Sequence, residues 1–147
     1  MSETITLAMG NGGEENNELI SKIFYKAFAN DILERSEDAA VIEEGRLAFS
    51  TDSFTVSPLF FPGGDIGKLA ICGTCNDLAM MGATPKYLTC SVIIEEGFSK
   101  KELQTIVDSM QKELAKNGAK VVSGDTKVVP KGSVDKIFIN TTGIGEI

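Results

Sequence analysis

Three aspartates that end or interrupt apolar segments are the residues of this sequence best suited to chemistry. Asp52 follows a predicted strand at 47–51, Asp77 interrupts a helix predicted over 66–81, and Asp125 follows a strand at 120–122. A carboxylate in apolar surroundings is costly unless it meets a cation or hydrogen-bond donors. If the three converge, their repulsion requires divalent cations, and the natural ligand is a nucleotide polyphosphate bridged by Mg²⁺. The alternatives are that Asp52 forms a turn, and that Asp77 is satisfied by a backbone N–H or a lysine.

A glycine-rich segment, Gly10-Asn11-Gly12-Gly13, is the second candidate for ligand binding. It precedes a helix whose apolar residues recur at three- and four-residue spacing between residues 19 and 28. Backbone N–H groups at such a junction can hold phosphate oxygens. A flexible N-terminal turn explains the same residues equally well.

The helix over 66–81 is the element that must position Asp77. Pro62-Gly63-Gly64 breaks the chain before it, and Asp65 stands at its N-cap position. The helix has almost no polar face, so we expect it to be buried in a core or in a subunit interface. Because one small domain has little surface to cover such a helix, we also expect a homodimer.

The composition excludes several function classes. The chain has 147 residues, the length of one domain, and its net charge of −7 disfavours nucleic-acid and anionic-membrane partners. Without histidine it cannot form a His-based triad or a His-ligated zinc site, and three cysteines cannot form a four-thiolate site. Cys72 and Cys75 have C-x-x-C spacing, but inside an apolar helix they are more typical of core residues than of a redox pair. No segment resembles a membrane span or a signal peptide, so the cytoplasm is the expected compartment.

The remaining elements alternate between strands and helices. A hairpin is predicted from strands at 39–42 and 47–51, and a capping box at 99–102 opens a helix that ends at Asn117-Gly118. Further strands are predicted at 87–94, 120–122 and 135–142.

Four blocks carry a family resemblance: residues 10–14, 50–53, 60–83 and 123–129. In order and spacing they resemble the N-terminal domain of the HypE family of hydrogenase maturation factors, carbamoyl dehydratases that supply the cyanide of [NiFe]-hydrogenases. That family lies in the ATP-binding superfamily of aminoimidazole ribonucleotide synthetase, selenophosphate synthetase and thiamine-monophosphate kinase. The shared pattern Asn-Asp-Leu-Ala-x-Met-Gly-Ala is matched by residues 76–83. The likeness runs from about residue 7 to the end of the chain.

The resemblance implies an α+β domain with a mainly antiparallel sheet backed by helices, two copies of which pair into a barrel-like dimer. It implies that residues 1–147 are the ATP-binding and dimerisation domain and that a C-terminal domain is absent from this chain. ATP and Mg²⁺ are the implied cofactors. The implied site residues are Asp52, Asp77 and Asp125 for metal, Asn11, Gly12, Gly13 and Asp65 for phosphate, and Lys127 for catalysis. Lys127 could instead be a surface lysine paired with Asp135.

The implied reaction converts an S-carbamoyl C-terminal cysteine into a thiocyanate through ATP-dependent phosphorylation of the carboxamide oxygen. The implied partners are a carbamoyltransferase and the hydrogenase iron–cyanide scaffold proteins. Met9 departs from the family, which often has histidine at that position. The alternatives are another superfamily enzyme, such as a selenophosphate synthetase or a small-molecule kinase, and a non-catalytic dimerisation module.

Overall fold

A helical segment at the N-terminus forms one of two units in the computed structural model of the protein, which describes residues 4–147. This unit comprises the described residues up to Glu37, and the other comprises Asp38–Ile147. The first unit contains a 3₁₀ turn at Leu7–Gly10 and then α1 (Glu14–Leu19), a π-helical segment (Ile20–Tyr25) and α2 (Lys26–Phe28). The helix predicted from the apolar spacing is therefore present, but its middle is wound as a π-helix.

A five-stranded sheet is the framework of the second unit. Its strands are β1 (Ala40–Ile42), β2 (Leu47–Phe54), β5 (Thr84–Glu95), β6 (Lys120–Val129) and β7 (Ile137–Glu146). They lie in the order β1-β2-β7-β5-β6, and β5–β6 is parallel whereas the other pairs are antiparallel. The predicted α+β class with a mainly antiparallel sheet is confirmed. The predicted hairpin is present, closed by a 3₁₀ turn at Glu43–Gly45.

Helix α3 (Ile66–Met80) packs on β2, β7 and α4 (Lys100–Asn117). The side chains of Ile66, Ile71 and Leu78 have no exposed surface. The sheet and α4 of the same chain bury this side of the helix, whereas Leu69 and Met80 on its other side are exposed. Its burial therefore does not require a second subunit, and the homodimer stays a prediction. The short hairpin of β3 (Phe60–Phe61) and β4 (Gly64–Asp65) leads into α3.

The helix boundaries follow the predicted caps. The backbone N–H of Lys68 donates to Oδ1 of Asp65 over 2.9 Å, and that of Glu102 donates to Oγ of Ser99 over 3.3 Å. Gly118 ends α4 in the left-handed region with φ of 72°. No helix among residues 4–147 has both the length and the apolar content needed to cross a bilayer.

A β-bulge in β6 reverses the direction of its side chains. Val121 pairs with Leu88 and Ser123 pairs with Thr89, so Val122 is one extra residue on β6. Val121 and Thr126 both line a cavity under α4, although five residues of regular strand would place them on opposite faces. Beyond the bulge, Thr126 faces the helices, and its neighbours Asp125 and Lys127 face the open side of the sheet.

Candidate functional site: a carboxylate pair under the end of helix α3

The site begins where α3 comes close to β2. A Cβ added to Gly73 would lie 2.7 Å from the ring of Phe54 and 3.6 Å from Oδ2 of Asp52. On β7, a Cβ added to Gly143 would lie 2.8 Å from the side chain of Thr74. The absence of side chains at these two glycines lets the helix lie close to the sheet. One turn beyond Gly73, this approach places Asp77 beside β2.

Asp77 is anchored to β2 by one hydrogen bond and lies in the field of other carboxylates. The hydroxyl of Ser50 donates to Oδ2 of Asp77 over 3.0 Å. Burial raises the pKa of Asp77, the bond from Ser50 opposes the rise, and the charges of Asp52 and Asp38 add to it. The alternative that Asp77 is satisfied by a lysine is not what the structure shows, because its hydrogen-bonding partner is a serine and its charged neighbours are acidic.

Asp38 is a member of this cluster that the sequence analysis missed. It immediately precedes the buried Ala39, which packs with Ala48, Leu78 and Ala83. This packing fixes the start of β1 beside the C-terminal turn of α3 and brings the Asp38 carboxylate within electrostatic range of Asp77. The available signal was an aspartate directly before an apolar strand, whereas Asp52 and Asp125 were singled out because each follows one.

The donor set fits a hard divalent cation. Its charged groups are carboxylates, the oxygen ligands that Mg²⁺ prefers, and Mg²⁺ is commonly held by one or two carboxylates together with substrate phosphates. Two acidic groups close enough to raise a pKa would both be stabilised by a bound cation. Across residues 4–147, no three acidic, cysteine or histidine side chains form a complete metal cluster by themselves. A nucleotide phosphate would have to supply the remaining ligands.

The structure does not bring Asp125 to this pair. Strands β7 and β5 separate β6 from β2, which at about 4.8 Å per strand puts Asp125 roughly 14 Å from Asp52 across the sheet. Asp125 also faces the open side of the sheet, whereas Asp52 faces α3. Its partner there is Lys127, with Nζ 3.7 Å from Oδ1 and both side chains exposed. The lysine thus pairs with Asp125, and the alternative pairing with Asp135 is wrong.

Asp65 has a structural role that accounts for both of its carboxylate oxygens. Oδ1 caps α3, and Oδ2 accepts a hydrogen bond of 2.5 Å from the hydroxyl of Ser109 on α4. The side chain is buried, with 4% exposure. It lies about 18 Å along the helix from Asp77, at 1.5 Å per residue over twelve residues. We therefore leave Asp65 out of the proposed nucleotide site.

The glycine-rich segment adopts a conformation that depends on glycine. Gly12 has a φ of 74°, and Gly13 stands at the N-cap of α1 with its carbonyl accepting from Asn17 over 3.0 Å. Asn11 and Gly13 line a shallow cavity of about 400 Å³ together with Ala8, Glu14, Glu15 and Glu18. The three glutamate carboxylates of that lining would repel a bare phosphate, whereas a phosphate neutralised by cations could bind there. The assignment of Asn11, Gly12 and Gly13 to phosphate stays a prediction.

The three cysteines are free thiols with low intrinsic reactivity. Burial raises the pKa of Cys75 to about 11, and burial also raises the pKa of Cys90. Burial and the carboxylate of Glu113, which accepts from the Cys72 thiol at 3.6 Å, raise the pKa of Cys72. The thiolate is the nucleophilic form, so each site disfavours attack. The interpretation of these cysteines as core residues agrees with this environment.

Comparison with known proteins gives a family match over most of the chain. Residues 36–147 match the family described as AIR synthase related protein, N-terminal domain. Carbamoyl dehydratase HypE of Escherichia coli (strain K12) is 53% identical over 150 residues, which cover 97% of this chain and 45% of that protein. The chain thus spans less than half the length of this relative.

Solved structures agree with the sequence match. The crystal structure of a HypE–HypF complex superposes with a TM-score of 0.83 at 58% identity, covering 86% of this chain and 41% of that chain. The crystal structure of hydrogenase maturation protein HypE in complex with ATP superposes with a TM-score of 0.69 at 54% identity, covering 98% of this chain and 43% of that chain.

Proposed function

We propose a function on the basis of the family of this chain. The chain belongs to the AIR synthase related proteins, and it would be the nucleotide-binding half of a HypE-type carbamoyl dehydratase. Residues 1–147 would form the N-terminal domain, and a C-terminal domain would complete the enzyme. The observation that supports nucleotide binding is the Asp52–Asp77 pair beside Ser50. A relative that is 54% identical has been crystallised with ATP.

The residues of this chain would bind and orient the nucleotide. Asp52 and Asp77 would hold Mg²⁺ against the triphosphate, and Asp38 would add negative charge at its edge. The bound cation would offset charge on the phosphates. Asn11, Gly12 and Gly13 remain the proposed phosphate-side loop. Asp125 and Lys127 lie on the open face of the sheet, away from this pair, so Lys127 stays the catalytic candidate only for a nucleotide held by a second copy that pairs on that face.

The full-length protein would use this site to dehydrate a carboxamide in the cytoplasm. A C-terminal cysteine would first receive a carbamoyl group from a carbamoyltransferase. The γ-phosphoryl group of ATP would move to the carboxamide oxygen. The C–O bond would then break as phosphate leaves and the nitrogen loses its protons, which gives the thiocyanate. The carbamoyltransferase and the hydrogenase iron–cyanide scaffold proteins would be its partners, and a HypE–HypF complex is known for a relative at 58% identity.

Titration of Mg-ATP into the chain is the direct test of nucleotide binding. We expect calorimetry to detect binding that requires Mg²⁺ and disappears with excess EDTA, because without a cation the acidic site repels the triphosphate. A chain that is folded and shows no metal-dependent binding would contradict the proposed function. That result would favour a non-catalytic dimerisation module.

The edge strand β6 supplies a surface for the proposed homodimer. All its residues except Val129 are exposed, and Val122 and Val128 have 59% and 67% of their surface accessible. An unprotected edge with exposed valines is suited to pairing with another strand. We propose that β6 and the open face of the sheet, rather than α3, form the barrel-like contact with a second copy.

We expect Val122→Lys combined with Val128→Lys to convert the dimer into a monomer, because a charge at each position would be desolvated in the contact. Sedimentation equilibrium at micromolar concentration measures this change. Val107→Lys is the matched control, since Val107 is a valine of α4 with 47% exposure. A wild-type chain that is folded and monomeric would contradict the dimer. A double variant that stays dimeric would contradict the choice of surface.

A further inference from the structure

Ser50 is a buried side chain whose single proton is committed to a proposed metal ligand. It lies in β2, has 7% exposure, and points toward α3 as Ala48 and Asp52 do. Its hydroxyl donates to Oδ2 of Asp77 over 3.0 Å. A serine hydroxyl has one proton, so this bond uses its whole donor capacity.

The bond orients the carboxylate of Asp77. Ser50 occupies one lone pair of Oδ2, and Oδ1 accepts none of the described hydrogen bonds, so the carboxylate keeps lone pairs for a cation. Ser50 and Asp52 are two residues apart on the same strand face, so the rigid strand sets both the donor to Asp77 and the second carboxylate. This arrangement holds two ligands on different elements, β2 and α3, in one relative orientation.

We propose that Ser50 is a positioning residue that orients Asp77 for Mg²⁺ binding. The inference rests on the proposed function, since it concerns the same magnesium–nucleotide site. Hydrogen-bond donors behind metal ligands typically change metal affinity by 10–100-fold when they are removed. Ser50 would act through Asp77 and would not itself touch the nucleotide or the metal.

A structural interpretation competes with this one, namely that the bond only satisfies a buried hydroxyl. The chain contains a matched case for that interpretation: the hydroxyl of Ser109 donates to Oδ2 of Asp65 over 2.5 Å. Both serines donate to an aspartate of the α3 region, but Asp65 is a helix cap about 18 Å from Asp77 along the helix axis. Removing either hydroxyl should reduce stability, and only removal of Ser50 should change metal binding.

The test compares Ser50→Ala, Ser50→Thr and Ser109→Ala in the chain. The readout is the Mg²⁺ concentration that gives half-maximal binding of a non-hydrolysable ATP analogue, with Mn²⁺ binding followed by electron paramagnetic resonance as a second readout. We expect Ser50→Ala to raise that concentration about tenfold. Ser50→Thr, which keeps the hydroxyl, should restore most of the affinity, and Ser109→Ala should leave it unchanged while lowering the melting temperature.

Three outcomes would overturn the inference. Unchanged Mg²⁺ dependence in a folded Ser50→Ala chain would show that Asp77 does not need the bond. An equal shift in Ser109→Ala would show a general loss of stability. If wild-type binding of the analogue needs no metal, the proposed function fails as well, whereas the first two outcomes leave it intact. Should Ser50→Ala not fold, Ser50→Cys replaces it, because a thiol is a much weaker donor.

Discussion

The Asp77→Asn substitution is expected to abolish Mg²⁺-dependent ATP turnover in the full-length protein and to raise the stability of the metal-free protein. Asparagine keeps the shape and can accept the bond from Ser50, but it lacks the charge that a metal ligand needs. Burial and the neighbouring charges of Asp52 and Asp38 raise the pKa of Asp77, so its ionised form opposes folding. Asparagine removes that opposition.

The raised pKa of Asp77 also predicts how the stabilising effect of Asp77→Asn changes with pH. A carboxyl group whose pKa is higher in the folded state than in the unfolded state favours folding at pH values at which it is protonated. This contribution to stability is lost as the pH rises from the pKa of the unfolded state through the pKa of the folded state. The stabilising effect of Asp77→Asn should therefore be present at neutral pH in EDTA and fade below the unfolded pKa. Calorimetric melting at several pH values measures this stabilising effect. The control is Asp108→Asn, at an exposed aspartate on α4. If the Asp77→Asn protein turned over ATP at the wild-type rate at low Mg²⁺, Asp77 would not be a ligand of Mg²⁺.

The Gly67→Ala substitution should cause a large loss of stability, because α3 and α4 cross at this glycine. A Cβ there would lie 2.4 Å from the backbone carbonyl oxygen of Ile106 and 3.0 Å from Cγ of Met110. A backbone atom cannot rotate away, so the two helices must separate. Overpacking typically costs about 1–3 kcal/mol and here would exceed the gain of up to ~1 kcal/mol from replacing glycine by alanine in a helix.

Denaturant unfolding monitored by circular dichroism measures the effect. Gly10→Ala is the control, since no atom lies within 4 Å of a Cβ at that position and its φ is not in the left-handed region. An unchanged midpoint for Gly67→Ala would mean that α3 and α4 lie farther apart than the structure places them.

Features set by neighbours in sequence were predictable, and those set by sheet geometry were not. The cap at Asp65, the capping box at Ser99 and the glycine end of α4 are all present, because each depends on a few adjacent residues. The burial of α3 was expected, but the sequence left open whether the chain's own core or a subunit interface covers it. Burial can be read from apolar content, whereas the surface that supplies it depends on tertiary packing.

Asp125 shows why a site could be only partly predicted. The sequence places it after an apolar strand, as it does Asp52, but the strand order and the bulge at Val122 decide its neighbours and its face. One inserted residue reverses every later side chain of a strand, and Gly124 beside it indicates the end of a strand as readily as a bulge within one. Asp38 was missed for a different reason: it precedes its strand, and only aspartates that end or interrupt an apolar segment were selected.

The central position of β7 determines when this sheet can form during synthesis. β7 is the last strand of the chain, yet it lies between β2 and β5, and it pairs Leu47 with Glu146. While the ribosome is still making residues before 137, β2 and β5 have no central partner and their edges remain open. The sheet must therefore close late, through contacts between residues about ninety positions apart, which favours slow folding. A truncation before β7 would remove the strand that joins the two halves of the sheet.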